Sequence, residues 1–97
     1  MAESDAQFDW DGHNRAHIAE HGVRPEEAEQ VIANDPLDIQ IPSDSQEQRT
    51  VSLGETDAGR ILVVVTTWRG DRIRVVTAYP AARRLRQFYM HERGHKL

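Results

Sequence analysis

Two apolar runs separated by a three-residue break constrain this chain more than anything else in it. Residues 60–68 contain Ile61-Leu62-Val63-Val64-Val65, apolar on both faces, which fits a central strand. Arg69-Gly70-Asp71 reads as a tight turn, and residues 72–79 resume the strand pattern. The pair is expected to form an antiparallel hairpin. Side chains alternate across a strand, so strict alternation puts Arg72, Arg74, Val76 and Ala78 on one face and Ile73, Val75, Thr77 and Tyr79 on the other.

The flanking sequence supplies helices and shorter strands. Residues 7–10 are expected to form a short strand. Asp11 is a good N-cap for a helix over residues 12–21, and Gly22 is its expected stop. Pro25, followed by Glu26 and Glu27, opens a second helix, with Ala28, Val31 and Ile32 on one face; Asn34-Asp35-Pro36 ends it. Residues 37–41 and 48–53 read as strands, 42–47 as a polar turn and 54–59 as a hairpin loop. Pro80 begins the last helix, residues 81–93, with an apolar stripe of Ala82, Leu85, Phe88 and Tyr89. The sum is one α+β domain over residues 1–97: two N-terminal helices, a four-stranded antiparallel sheet and a C-terminal helix. Residues 1–6 and 94–97 are expected to lack fixed structure.

Charge divides unevenly along this frame. Residues 1–56 hold three Arg against thirteen acidic residues, whereas residues 57–97 hold nine basic residues against three acidic ones. Eleven of the twelve basic residues are Arg. The planar guanidinium suits phosphate and stacks on bases, so the basic half points to a polyanion. RNA binding then requires the acids of the first half to lie away from the basic face, since interleaved carboxylates would repel the ligand. There is no cysteine, hence no disulfide framework and no Cys-based metal site. The acidic start, Met1-Ala2-Glu3-Ser4-Asp5, lacks the basic flank and apolar stretch of a signal peptide, and the longest apolar run is far short of a membrane span. The expected location is cytoplasmic, with no membrane partner.

Three groups of residues carry possible chemistry. His13, His17 and His21 recur every four residues and stack on one helical face. A neutral imidazole is a proton-transfer group near pH 7. A pair such as His13 and His17 can also take zinc or nickel, although three ligands along one straight helix cannot converge on one ion. His91-Glu92-Arg93-Gly94-His95 matches H-E-x-x-H, but the Gly inside it interrupts the helix that motif needs, and the segment reads as a solvated tail. Arg72 and Arg74 on the strand, with Arg83, Arg84 and Arg86 on the helix, are expected to form one basic surface near Tyr79 and Tyr89. Fixed cations hold a phosphodiester and stabilise the extra charge of its pentacoordinate transition state. RNA carries its own nucleophile in the 2′-OH, so no cofactor is expected.

The set of residues resembles a known family. Phe8-Asp9-Trp10-Asp11, Asn14, His17-Ile18, His21-Gly22-Val23 and Pro25-Glu26-Glu27-Ala28 are similar to the N-terminal half of BrnT toxins. Gly54, Gly59-Arg60, the run from Arg69 to Ala78, Ala81-Ala82-Arg83-Arg84 and Tyr89 are similar to the C-terminal half. The resemblance implies a RelE-like fold and a bacterial type II toxin, a metal-independent ribonuclease that inhibits translation. It implies neutralisation by a BrnA-like antitoxin, through which alone DNA is involved. It also implies roles: Arg74, Arg83, His21, His17 and Tyr89 in catalysis, and Arg72, Arg84, Arg86, Trp10 and Thr77 in RNA binding. Where the family usually has Arg this chain has Tyr79, and where it has Glu this chain has Leu85. Those departures keep open a second reading, a non-catalytic member of the fold that binds an antitoxin-like partner or RNA without cutting.

Overall fold

The computed structural model describes residues 7–39 and 48–94. Its elements run α1 (Gly12–Ala19), α2 (Pro25–Ala33), β1 (Leu37–Ile39), β2 (Thr50–Glu55), β3 (Ile61–Arg69), β4 (Arg72–Pro80) and α3 (Arg83–Glu92). The four strands form one antiparallel sheet in the order β1-β2-β3-β4. This is the expected α+β arrangement. The polar turn expected over residues 42–47, together with residues 1–6 and 95–97, lies outside the described residues.

β2 and β4 pair both edges of β3, and packing on both its faces leaves Leu62, Val63 and Val64 fully buried. One face packs on α1 and α2 through Ile18, Val23, Ala28, Val31, Leu62, Val64, Val75 and Ala78. The other packs under α3 through Leu53, Val63, Val65, Ala81 and Tyr89. At about 25 cal/mol per Å² of buried apolar surface, these two clusters are the main stabilising contribution of the fold.

Local chemistry explains the helix limits. The Asp11 carboxylate accepts the His13 and Asn14 N–H groups at 2.9 and 3.1 Å, and Asn14 Oδ1 accepts the Asp11 N–H at 2.8 Å. This reciprocal box satisfies donors that α1 would leave unpaired. α1 gives way after Ala19 to a turn that ends at Gly22, whose φ of 72° is a left-handed value disfavoured for other residues. There the Val23 N–H reaches Ile18 O at 3.1 Å and the Gly22 N–H reaches Ala19 O at 3.0 Å. α2 starts at Pro25, with Glu27 Oε1 accepting the Arg24 N–H at 3.0 Å.

Several expectations shift. Residues 7–10 do not form a strand of the sheet; Phe8 makes one parallel bridge to Ile73, with Asp9 N–H to Ile73 O and Ile73 N–H to Gln7 O closing it. Gly54 is not in a loop. It is a buried β2 residue, and a Cβ there would stand 2.9 Å from Pro36 Cβ. The turn is confined to residues 56–60. Pro80 ends β4 opposite Leu62 instead of starting the helix. The buried stripe of the last segment is Ala81, Leu85 and Tyr89, four residues apart, while Ala82 is exposed at the N-cap and Phe88 is 44% exposed.

The β4 register holds the most consequential departure. Val65 faces Thr77 but the next residue, Thr66, faces Val75, so Val76 has no partner and forms a bulge. A bulged pair puts two residues against one and resets alternation beyond it. Val75 and Ala78 both enter the α1–α2 side, whereas Val76 and Tyr79 both pack toward α3. Opposite partners share a face, so Arg74 (facing Thr67) and Thr77 (facing Val65) lie on the α3 side. The bulge therefore gathers Arg72, Arg74, Thr77 and Tyr79 on one face, where strict alternation would divide them.

Candidate nucleic-acid interface along strand β4

β4 is the last strand of the sheet, and its free edge is managed locally. The N-terminal bridge covers it at Ile73, and Asn14 Nδ2 donates to Val75 O at 3.1 Å. The second bond seats α1 alongside the strand, and Asn14 is itself buried. α1 then carries its imidazoles along β4 until His21 meets Tyr79. The His17 and His21 ring centroids are 5.5 Å apart at 83°, and those of His21 and Tyr79 are 6.0 Å apart at 65°. Both histidines are exposed and Tyr79 is half-buried. His13, one turn earlier, is separate from this row and lines a cleft with Arg74. Among the described residues, no three His, Cys, Asp or Glu side chains gather as a metal site would require.

Arg74 is not free. Its Nη1 lies 3.1 Å from Asp11 Oδ2 and 3.5 Å from Asp9 Oδ2, and Nη2 donates to Asp11 Oδ1 at 3.4 Å. Nη1 meets neither carboxylate at hydrogen-bonding angles, so the contact is chiefly an ion pair. Asp9 also takes Arg69 Nη1 at 3.2 Å. Asp11 feels the consequence: the Asn14 N–H, then the Arg74 guanidinium, hold its carboxyl down at about 2, against a smaller opposing effect of desolvation. The charge segregation expected from the sequence therefore fails here. Glu27 and Glu29 are engaged elsewhere, whereas two acids of the N-terminal half sit on Arg74.

The basic residues do not form one patch. Arg74 and Pro80 are six residues apart on the strand, roughly 20 Å at about 3.3 Å per residue. α3 continues away from there. Ala81 N–H binds Ile61 O, Tyr89 packs in the α3-side core, and Arg93 reaches the Asp35 carbonyl and carboxylate. Arg83 and Arg84 are exposed beyond one end of β4, and Arg72 and Arg74 stand at the other. Arg72, Arg83 and Arg84 make no ion pair among the described residues, whereas Arg86 Nη1 donates to Ala81 O at 3.0 Å.

Two other expected site residues are placed in structural settings. Tyr89 is 3% exposed, with Arg93 over its ring at 5.4 Å, and burial pushes its hydroxyl pKa up. Trp10 is half-buried against the α1–α2 core, donates Nε1–H to Glu29 Oε2 at 2.7 Å, and has Arg15 over its ring at 5.8 Å. Of the H-E-x-x-H segment, His91 and Glu92 end α3 and His95 lies outside the described residues.

The model for the family described as ribonuclease toxin, BrnT, of type II toxin-antitoxin systems matches residues 10–84. The chain belongs to the BrnT family. That match spans α1 through the first residues of α3, and thus includes the histidine row, Arg72, Arg74, Thr77, Arg83 and Arg84. Arg86 and Tyr89 lie beyond it. A comparison with curated proteins found no match. Membership in the BrnT family brings with it an antitoxin as partner. No helix among the described residues is long and apolar enough to cross a membrane.

The site also contains residues that the sequence reading did not select. Asp9 and Asp11 were legible as part of a motif and as a cap, but their pairing with Arg74 spans more than 60 positions. Tyr79 was legible as a neighbour of the Arg group and as a missing Arg, but not as a partner of His21.

Proposed function

We propose that this BrnT-family chain is a cytoplasmic, metal-independent endoribonuclease that inhibits translation and is neutralised by a BrnA-like antitoxin. The observation that carries this reading is the common track along β4. Arg72, Arg74, Thr77 and Tyr79 share a face, and α1 sets His17 and His21 along the same edge, against Tyr79. Guanidiniums at both ends of the track suit flanking phosphates of a single strand, with the proton-transfer groups between them.

The chemistry is transfer within RNA. His21 takes the proton of a 2′-OH, that oxygen attacks the adjacent phosphorus, and the bond from phosphorus to the 5′-oxygen breaks. His17 delivers a proton to that leaving oxygen. The products are a 2′,3′-cyclic phosphate and a 5′-hydroxyl. Arg74 and Arg83 hold phosphate charge from opposite ends, and the Thr77 hydroxyl and Arg72 and Arg84 add contacts to the backbone. Arg86, held by Ala81 O, contributes charge more than contact. In this reading Tyr89 and Trp10 act through packing. A BrnA-like antitoxin would cover the same cations and link the toxin to DNA.

The test is cleavage of a labelled RNA by freshly purified, partner-free protein in EDTA. Cutting to a 2′,3′-cyclic phosphate, lost on His21→Ala and when the cleaved position is 2′-deoxy, is the expected result. Arg74→Ala and Arg83→Ala are expected to raise KM. Because Asp9 and Asp11 occupy Arg74 and Tyr79 replaces the family's Arg, the second reading has a definite signature: RNA or antitoxin bound and no RNA cut, with or without ribosomes.

A further inference from the structure

α1 buries two side chains, Ile18 and Asn14. Ile18 packs in the core shared with α2. Asn14 is 1% exposed, and each polar atom of its amide is bonded to main chain. Oδ1 accepts the Asp11 N–H at 2.8 Å, and Nδ2 donates to Asp9 O at 3.0 Å and to Val75 O at 3.1 Å. Carbonyls cannot donate, so only this orientation of the amide fits. The capping box needs the first bond alone. The other two leave the helix: Nδ2 bridges the N-terminal arm at Asp9 and β4 at Val75, the residue before the bulge. Beyond Asn14 the same helix leads to His17, and the turn after it to His21 against Tyr79.

We propose that Asn14 is a positioning residue: it fixes where α1 stands along β4, and so holds the His17–His21 row in register with Tyr79. The inference rests on that row as the proton-transfer group of the proposed reaction; Asn14 itself meets no reacting atom. Ile18 alone would not set the register. Apolar packing is non-directional and tolerates a slide of the helix over the sheet, whereas a hydrogen bond weakens steeply when misaligned. An apolar residue in place of Asn14 would fill space but leave Asp9 O and Val75 O without this donor. A misplacement of about 1 Å can cost about a hundred-fold in rate, so a small slide of α1 is felt at His21.

The experiment compares Asn14→Ala with Gly54→Ala, a destabilised control whose strain falls on Pro36 and Val31, away from α1. Both are studied below their melting transitions. The first readout is the NOE between the His21 and Tyr79 rings, which needs no activity. Gly54→Ala is expected to keep it and Asn14→Ala to lose most of it. The second is steady-state RNA cleavage in EDTA. There Asn14→Ala should lower kcat by roughly ten-fold or more, with KM and the shape of the pH profile unchanged and Gly54→Ala near wild type. If Asn14→Ala does not fold, Asn14→Ser is read in the same way, since one hydroxyl proton cannot serve both Asp9 O and Val75 O. Wild type without the NOE, an Asn14 variant that retains it, equal losses in the Gly54→Ala control, or an Asn14 variant that loses the NOE and still cuts at the wild-type rate overturns the proposal. An NOE present in wild type and lost in the Asn14 variant, in a protein that cuts no RNA, supports the positioning and removes the proton-transfer reading instead.

Discussion

Asp11 bonds two partners at once: its Oδ1 caps α1 while its Oδ2 lies 3.1 Å from Arg74 Nη1. Both contacts favour the charged carboxylate, so its folded pKa of about 2 lies below its ordinary value of 3.8. The sign follows from linkage. A lowered carboxyl pKa gives stability that is fully present above the ordinary value and is lost as pH falls toward 2. A carboxyl-carbon NMR titration should place Asp11 near 2 and move it upward in Arg74→Ala. A midpoint that ignores Arg74 would mean that the pair has no weight in solution.

Asp9 restrains two cations, Arg69 and Arg74. Asp9→Asn removes one negative charge from the Arg69–Arg74 cleft while keeping the side chain's shape. RNA binding should strengthen several-fold at low salt, and the gain should shrink as ionic strength shortens the Debye length. Affinity measured against salt checks this; a loss of affinity would show that Asp9 positions the arginines productively.

The α2 side depends on a buried acid. Glu27 is 5% exposed, and Arg60 Nη1 donates to its two oxygens at 2.9 and 2.8 Å. The guanidinium and the Arg24 N–H offset the cost of burial and leave its pKa lowered. Arg60→Ala strands that carboxylate, and removing one partner of a buried pair typically costs 3–5 kcal/mol. Arg60 is itself 40% exposed, so about 2 kcal/mol is expected here. Urea denaturation would measure it, and Glu27→Gln in the Arg60→Ala background should recover part of the loss.

The hairpin, both N-terminal helices and the Gly22 stop were legible because each rests on local chemistry: β-branched runs, an Asp cap, a Pro at a first helical turn, a Gly at positive φ. The faces of β4 were not. Alternation is a local rule, and the bulge at Val76 follows from how Val75 and Ala78 both fill the α1–α2 core, a constraint set by distant residues. The histidine row was readable from spacing alone; the Tyr79 contact that extends it joins residues far apart in sequence, which spacing does not reveal. The Arg group was readable as composition and misread as one patch, since nothing local says that α3 turns from β4 toward Asp35. A phenol near the Arg group suggests chemistry for Tyr89, whereas its burial with Leu53, Val63 and Ala81 is set by residues distant in sequence.

Gly54 shows the same limit in one residue. In sequence it resembles a turn; in the sheet it lets α2 and Pro36 approach β2, with Val31 Cγ1 also 3.2 Å from where a Cβ would stand. Gly54→Ala should destabilise the fold by about 1–3 kcal/mol through overpacking, seen as a lower Tm and urea midpoint. Pairing it with Val31→Ala should recover less than the full loss, because the closest atom belongs to Pro36.

Tyr79 supports His21 by ring contact, at 6.0 Å between centroids, so its role separates into ring and hydroxyl. If the ring orients the imidazole, Tyr79→Phe should cut RNA at close to the wild-type rate. Tyr79→Ala frees His21 to rotate, and a misplaced proton acceptor lowers kcat by roughly ten-fold or more while KM for RNA holds. A hydroxyl that itself transfers the proton reverses the pattern: Tyr79→Phe then falls as far as Tyr79→Ala. Steady-state cleavage in EDTA over a range of pH distinguishes the two, since loss of a titrating group changes the shape of the pH profile, whereas loss of orientation scales it uniformly.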